Sequence, residues 1–280
     1  MVWTTSWTGG TIGYSSSTNL VHWTKQKTLT VMGHEPTTAN CWAPAVIYDA
    51  AQGHYLIFWS STVPGKFPVP DETERKDKNR PPRNHRLYST TTKDFETFTP
   101  TKVHYEPGLN VIDETMGPDG AGWVMFVKNE TEILAPAKNI YLVRSASPDG
   151  PWTAPDAPIS PPGLWVEGGT AVKVDDWWHL SYDIYRDKKY GVRRTKDFTK
   201  WEDMSAELAM PKVLRHGTAL RVPRAVVNLL KERGTRPSAV ANARADRPAG
   251  LVGKRGLRLQ VGLLKPARGR VPPSETNDLR

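Results

Sequence analysis

The apolar positions of this chain fall in short runs, rich in β-branched and aromatic residues and bounded by Gly, Asp and Pro. That is the pattern of strands, not of helices. Three runs are rich in aromatics: HYLIFWSS (54–61), GWVMFVKNE (122–130) and DWWHLSYDIY (176–185), with Val2–Trp7 as a fourth. Each of the three follows another run: WAPAVIYD (42–49), NVIDETMGPD (110–119) and VEGGTAVKVD (166–175). A third strand then leads into a small-polar turn, an Asp or Asn, and an aromatic residue. These markers close at Trp23, Phe98, Trp152 and Trp201, spaced 75, 54 and 49 residues apart, and their aromatics are expected to pack between units. Unit lengths near 50 residues are those of β-propeller blades. The expected fold is all-β: a five-bladed β-propeller over residues 1–230, incomplete in its first and last blade. RHGTALRVP (215–223) is read as a fifth inner strand without partners. The first unit has a middle strand at Val2–Trp7 and a third strand at Thr11–Ser15, so an inner strand is expected to be missing there. Val63–Asn84, rich in Pro and charge, reads as a mobile surface loop.

Composition adjusts this picture at one end. The net charge is +9, but residues 231–280 hold 12 Lys and Arg against 4 Asp and Glu, so the body is close to neutral. All 11 Trp lie between Trp3 and Trp201, and the last fifty residues have no aromatic side chain. Such a segment cannot bury enough apolar surface to offset its chain entropy, so residues 231–280 are expected to be a disordered tail. It reads either as a basic arm for polyanions or a membrane surface, or, preferably, as a solvated extension. No run is long enough to span a bilayer, and MVWTTSWTGG is no signal peptide. Cys41, alone, can form neither an internal disulfide nor a cysteine zinc site, and reads as a small buried residue. The expected protein is a monomer that binds neither nucleic acid nor membrane.

In a propeller the inner strands line the axis, so their polar residues converge in one pocket. Asp113, Glu167 and His216 each occupy an inner-strand segment. A carboxylate inside an apolar strand such as Leu109–Asp113 is costly unless it is paired or functional. Trp42, Trp165, Trp3 and Trp7 are candidate platforms for the apolar faces of sugars, with Trp165 preferred because it lies two residues before Glu167. The seven His form no zinc-hydrolase motif, and no nucleophile elbow or phosphate loop occurs.

Residues 2–230 resemble glycoside hydrolase family 43, the arabinosidase and xylosidase propellers. The carrying motifs are Trp42-Ala-Pro44, Val111-Ile-Asp113, Val166-Glu-Gly168 and Arg215-His-Gly217 at unit spacing. Tyr182-Asp-Ile-Tyr185, Tyr190-Gly191 and Lys196-Asp-Phe-Thr-Lys-Trp201 support them. The resemblance implies an inverting hydrolysis of arabinose- or xylose-containing saccharides, with Glu167 as general acid and Asp113 as the aspartate that tunes its pKa. It implies His216 as an axial histidine that helps hold a water-bound ion, often calcium, with no cofactor required. It also implies an extracellular location. The family's base, an aspartate on the first inner strand, has no counterpart, so the chain as given is expected to be weak or inactive. The alternative is a carbohydrate-binding propeller without catalysis.

Overall fold

The computed structural model describes residues 1–68, 83–132, 136–209 and 215–234. Among these residues fourteen strands form four antiparallel sheets. The first is β1 (Val2–Thr4), β2 (Thr11–Tyr14) and β3 (Lys27–Thr30). The second is β4 (Trp42–Asp49), β5 (His54–Ser61), β6 (Arg86–Thr92) and β7 (Lys102–Tyr105). The third is β8 (Val111–Asp119), β9 (Gly122–Asn129) and β10 (Asn139–Ser145). The fourth is β11 (Glu167–Val174), β12 (Trp177–Ile184), β13 (Lys189–Thr195) and β14 (Glu202–Asp203). Within each sheet the strands pair in chain order. β1, β4, β8 and β11 lie side by side across sheets, so each presents the inner edge of its own sheet.

Burial explains why the middle strands are unbroken apolar runs. Side chains alternate between the two faces of a strand, and β5 and β9 each have a neighbouring sheet on both sides. On β5, Ile57 and Trp59 join the first sheet's Ile12, Tyr14 and Leu29, while Leu56 and Phe58 join Val111, Met116 and Met125 of the third. On β9, Met125 and Val127 face the second sheet and Val124 and Phe126 the fourth. Each fully buried side chain of this kind contributes about 1.5–3 kcal/mol. On β12 the apolar side chains Trp178, Leu180 and Tyr182 are buried on one face, while Trp177, His179 and Ser181 on the other are half-buried. Cys41 is buried in the first interface.

The repeated turn has a shared physical basis. Asn19, Asp94 and Asp197 each accept two backbone N–H groups from the residues just beyond. The residue after the Asn or Asp is left-handed in every copy: Leu20 (φ 59), Phe95 (φ 58), Gly150 (φ 86) and Phe198 (φ 59). The polar side chain offsets the cost of that conformation. Phe95 and Phe198 are the aromatics that enter the interfaces, with Trp152 and Trp201 beside them. Phe98 and Trp23 do not follow the expectation: Phe98 is 37% exposed, and Trp23 is half-exposed with its indole N–H on Leu20 O.

Two further expectations are corrected. Residues 215–223 form no strand, because no described strand offers their backbone a ladder. Ala219 N–H bonds the Thr170 hydroxyl and Arg221 reaches Lys173 O instead. The fold is also not purely β, since a helix, α1 (Arg224–Gly234), follows Pro223. Proline favours a helix start, and the Lys231, Arg233 and Gly234 end favours its stop. α1 crosses the boundary expected at residue 230. The rest of the tail, 235–280, and most of the Val63–Asn84 insertion lie outside the described residues. The ends of that insertion are held by Asn84, whose amide donates to Phe67 O and Pro68 O.

Facing glycines set two strand contacts. Trp3 lies flat on Gly13 across β1–β2, and Tyr182 lies on Gly191 across β12–β13. A methyl group at Gly191 would sit 2.5 Å from the buried Tyr182 ring. Gly191→Ala is therefore expected to cost about 1–3 kcal/mol of stability through overpacking. Denaturant unfolding checks this, and an unchanged midpoint would refute the contact.

Candidate active site

Three inner strands share one irregularity at the same end. The register slips by one residue between Trp42 and Ala45 on β4, between Ile112 and Thr115 on β8, and between Glu167 and Thr170 on β11. At each bulge the second residue is left-handed: Ala43 (φ 46), Asp113 (φ 55) and Gly168 (φ 59). His216 (φ 53), after Arg215, repeats the pattern outside any strand. Bulges re-aim side chains, and a non-glycine residue in this region is strained by about 1 kcal/mol or more. Gly168 is needed for a second reason: a Cβ there would lie 2.8 Å from the His216 ring.

These bends bring Asp113, Glu167 and His216 together, with donor atoms within 4.8 Å of one another. Asp113 Oδ2 accepts the Gly168 N–H at 2.8 Å. Glu167 Oε1 accepts from His216 Nε2 at 3.1 Å and from the Arg215 guanidinium, while Oε2 meets Lys128 Nζ at 3.3 Å. Arg215 Nε also donates to Asp183 Oδ2 at 2.8 Å. Lys128, 1% exposed, pairs with Glu130 at 2.6 Å, and Glu130 pairs with Lys138 at 2.8 Å. Sequence reasoning missed Lys128, Glu130, Lys138 and Asp183. Lys128 was legible by the argument applied to Asp113, a charge within an apolar strand.

The electrostatics follow from this wiring. Burial would raise the Glu167 carboxyl, but the His216 hydrogen bond, Lys128 and Arg215 outweigh it and hold it at about 2. Burial would lower His216; Glu167, Asp113 and Asp183 outweigh it and raise its pKa. Next to Asp113 on β8 stands Glu114, whose burial is complete and pushes its carboxyl up to about 8, with the Asp113 charge adding to the effect. Ser60 Oγ donates to its Oε2 at 3.1 Å, and among the described residues no side chain donates to its Oε1.

The candidate platforms separate. Trp42 lies at the bulge position equivalent to Glu167, edge-on to Trp7 at 5.5 Å, with the Arg83 guanidinium 4.7 Å from its ring centroid. Trp7 is 75% exposed. Trp165 carries the Arg186 guanidinium 3.2 Å from its ring centroid and meets Tyr185 edge-on. Trp3 is engaged with Gly13 and joins none of these groups. A cavity of about 400 Å³ lies elsewhere, between β3 and the β6–β7 connection, and two of the threonine hydroxyls lining it, Thr90 and Thr101, donate to backbone carbonyls.

As direct ligands the trio suits calcium poorly. Calcium takes six to eight oxygens, whereas the trio offers one imidazole and two carboxylates, both already engaged. The chemistry derived from these residues uses no ion.

The family described as a probable glycosyl hydrolase domain, related to glycoside hydrolase family 43, matches residues 5–228. No curated protein matches the chain. Similar solved structures include an exo-β-1,3-galactanase from Phanerochaete chrysosporium with β-1,3-galactotriose, at TM-score 0.53 and 13% identity, covering 71% of this chain and 44% of that one. An exo-β-1,3-galactanase from Clostridium thermocellum matches at TM-score 0.50 and 14% identity, covering 70% and 44%. The chain thus spans less than half the length of either, and at such identities the likeness concerns the fold alone. The match over residues 5–228, on four successive antiparallel sheets, makes this chain a member of the probable glycosyl hydrolase family related to glycoside hydrolase family 43.

Proposed function

We propose that this chain is built on the five-bladed propeller plan and cleaves glycosidic bonds in plant-type saccharides. Arabinose-, xylose- and galactose-containing oligomers are the first classes to try. The observation that carries the reading is the convergence of Asp113 and Glu167 from successive sheets onto one cleft with His216. Glu167 is assigned proton donation to the leaving oxygen, and Asp113 the raising of its pKa by a neighbouring negative charge. A pair this close is too narrow to be the two acids of an inverting site, which stand about 6.5–9.5 Å apart to admit water. Asp113 is therefore not assigned the base, nor is any other described residue.

The ion pairs bear on this assignment. A general acid must hold a proton, whereas the His216 hydrogen bond, Lys128 and Arg215 together hold the Glu167 carboxyl low. In this reading a bound saccharide takes over the His216 contact and leaves Lys128 on Glu130 and Arg215 on Asp183, so that the Asp113 charge can act on Glu167. The same ion pairs favour a second reading, in which the cleft binds saccharide without turnover.

One experiment separates the two. Aryl arabinofuranosides, aryl xylosides and β-1,3-galacto-oligosaccharides are assayed with the parent chain and Glu167→Gln. Hydrolysis predicts that the variant loses about 10²–10⁴-fold in kcat on unactivated substrates and less on those with excellent leaving groups. Equal turnover by both proteins refutes the Glu167 assignment. Saccharide binding by calorimetry with no turnover of any substrate supports the second reading.

A further inference from the structure

Most cations around the Glu167 cleft are already committed. Lys128 holds Glu130 and Glu167, Lys138 holds Glu130 and Glu132, and Arg215 holds Glu167 and Asp183. Arg186 differs. It lies in the turn between β12 and β13, is exposed, and among the described residues its guanidinium is engaged only by the Trp165 ring, 3.2 Å from the centroid. The pairing of Asp183 with Glu167 across β11–β12 places this turn at the cleft end of the sheet. Trp165 is two residues before Glu167, and the neighbouring Tyr185 meets both Trp165 and Lys128. Arg186 is thus a guanidinium laid on an indole at the rim of the cleft.

Stacking orders the long arginine side chain and leaves the in-plane N–H groups free, since an aromatic face engages only the π surface of the fork. A planar fork with free N–H edges matches a carboxylate, which it binds through two parallel hydrogen bonds. It also takes the face of Trp165 that a neutral sugar would stack on, which changes the part expected of that indole from platform to backing. We infer that Arg186 on Trp165 forms a subsite for an acidic sugar, a uronate whose carboxylate meets the guanidinium beside the cleft. This rests on the reading of the cleft as a saccharide site and adds a charged unit to its substrate.

The test compares sugars that differ by one carboxylate. Methyl β-D-xylopyranoside is paired with methyl β-D-glucuronoside, and methyl α-L-arabinopyranoside with methyl β-D-galacturonoside. Each is titrated into the full chain at low salt, with binding followed by NMR shifts. The uronate of at least one pair should bind about tenfold tighter than its neutral partner, as a charge-assisted bidentate contact implies. Arg186→Gln should bring that ratio close to one, and Arg186→Lys should keep only part of it, because the charge remains and the fork does not. Equal binding of both members by the parent overturns the inference while leaving the saccharide cleft standing. A preference that persists in Arg186→Gln overturns it too, as does tighter binding of galactose 6-sulfate than of the galacturonoside. Binding of no sugar at all overturns the saccharide cleft and this subsite together.

Discussion

Lys128→Met is expected to lower the unfolding free energy by about 3 kcal/mol, the cost of removing one partner from a buried ion pair. Lys128 is 1% exposed and stands between Glu130 and Glu167, so methionine fills its volume but leaves both carboxylates short of a cation. Arg215 and His216 still hold Glu167, and Lys138 still holds Glu130, which keeps the loss below the upper end of such effects. The pH dependence sharpens the test. Glu167 titrates at about 2 in the folded chain against an ordinary 4.5. A depressed folded pKa contributes stability above the unfolded value that is lost as pH falls through the folded one. The parent should therefore lose this contribution between about pH 4.5 and 2, and Lys128→Met should show a smaller loss there. Urea unfolding from pH 3 to 7 measures both effects. A variant as stable as its parent at pH 7 would falsify the buried network.

The second large effect has the opposite sign. Glu114 has its folded pKa raised to about 8, so the folded state retains a proton that the unfolded chain releases near 4.5. Stability should then fall as pH rises from about 4.5 to about 8, by about 1.4 kcal/mol for each unit within that window. Glu114→Gln keeps an acceptor for Ser60 Oγ and removes the ionisation. At pH 7 the variant is expected to be more stable by about 3 kcal/mol, and at pH 5 by little. Melting temperatures across pH 5–9 decide it: parallel curves for parent and variant would show that Glu114 carries no such proton. The Asp113 charge beside it adds to the rise, so Asp113→Asn should bring the upper end of this window down.

The strands were legible because their cause is local. Residues 42–49 and 54–61 are the expected strands to the residue, and 111–119 and 177–184 differ from expectation by one or two at their ends. The turn markers were equally legible, since Asn19, Asp94 and Asp197 act on backbone two and three residues away. Residues 215–223 show where local pattern fails. Their place after the last turn marker suggests a strand, but a strand exists only with a partner for its backbone, and none of the described strands supplies one.

The site divides in the same way. Asp113, Glu167 and His216 could be picked out because each falls in an inner-strand segment of successive units, and they do meet. Their charge states could not be picked out. The cation that contacts Glu167 from the third sheet is 39 residues distant in the chain, and the guanidinium that contacts it from beyond the fourth is 48 distant. Trp165 likewise had the composition of a sugar platform, yet its partner Arg186 comes from the far side of β12.

By itself, then, the sequence determined the repeat, its strands and turns, and which polar residues stand in apolar company. Each of these depends on side chains a few positions apart. Only the tertiary structure decided which of those residues lie together, that the groups around Glu167 hold its carboxyl low, and that burial pushes the Glu114 carboxyl up. Proton affinity depends on distance to charge and to water, and in this chain both are set by contacts between separate sheets.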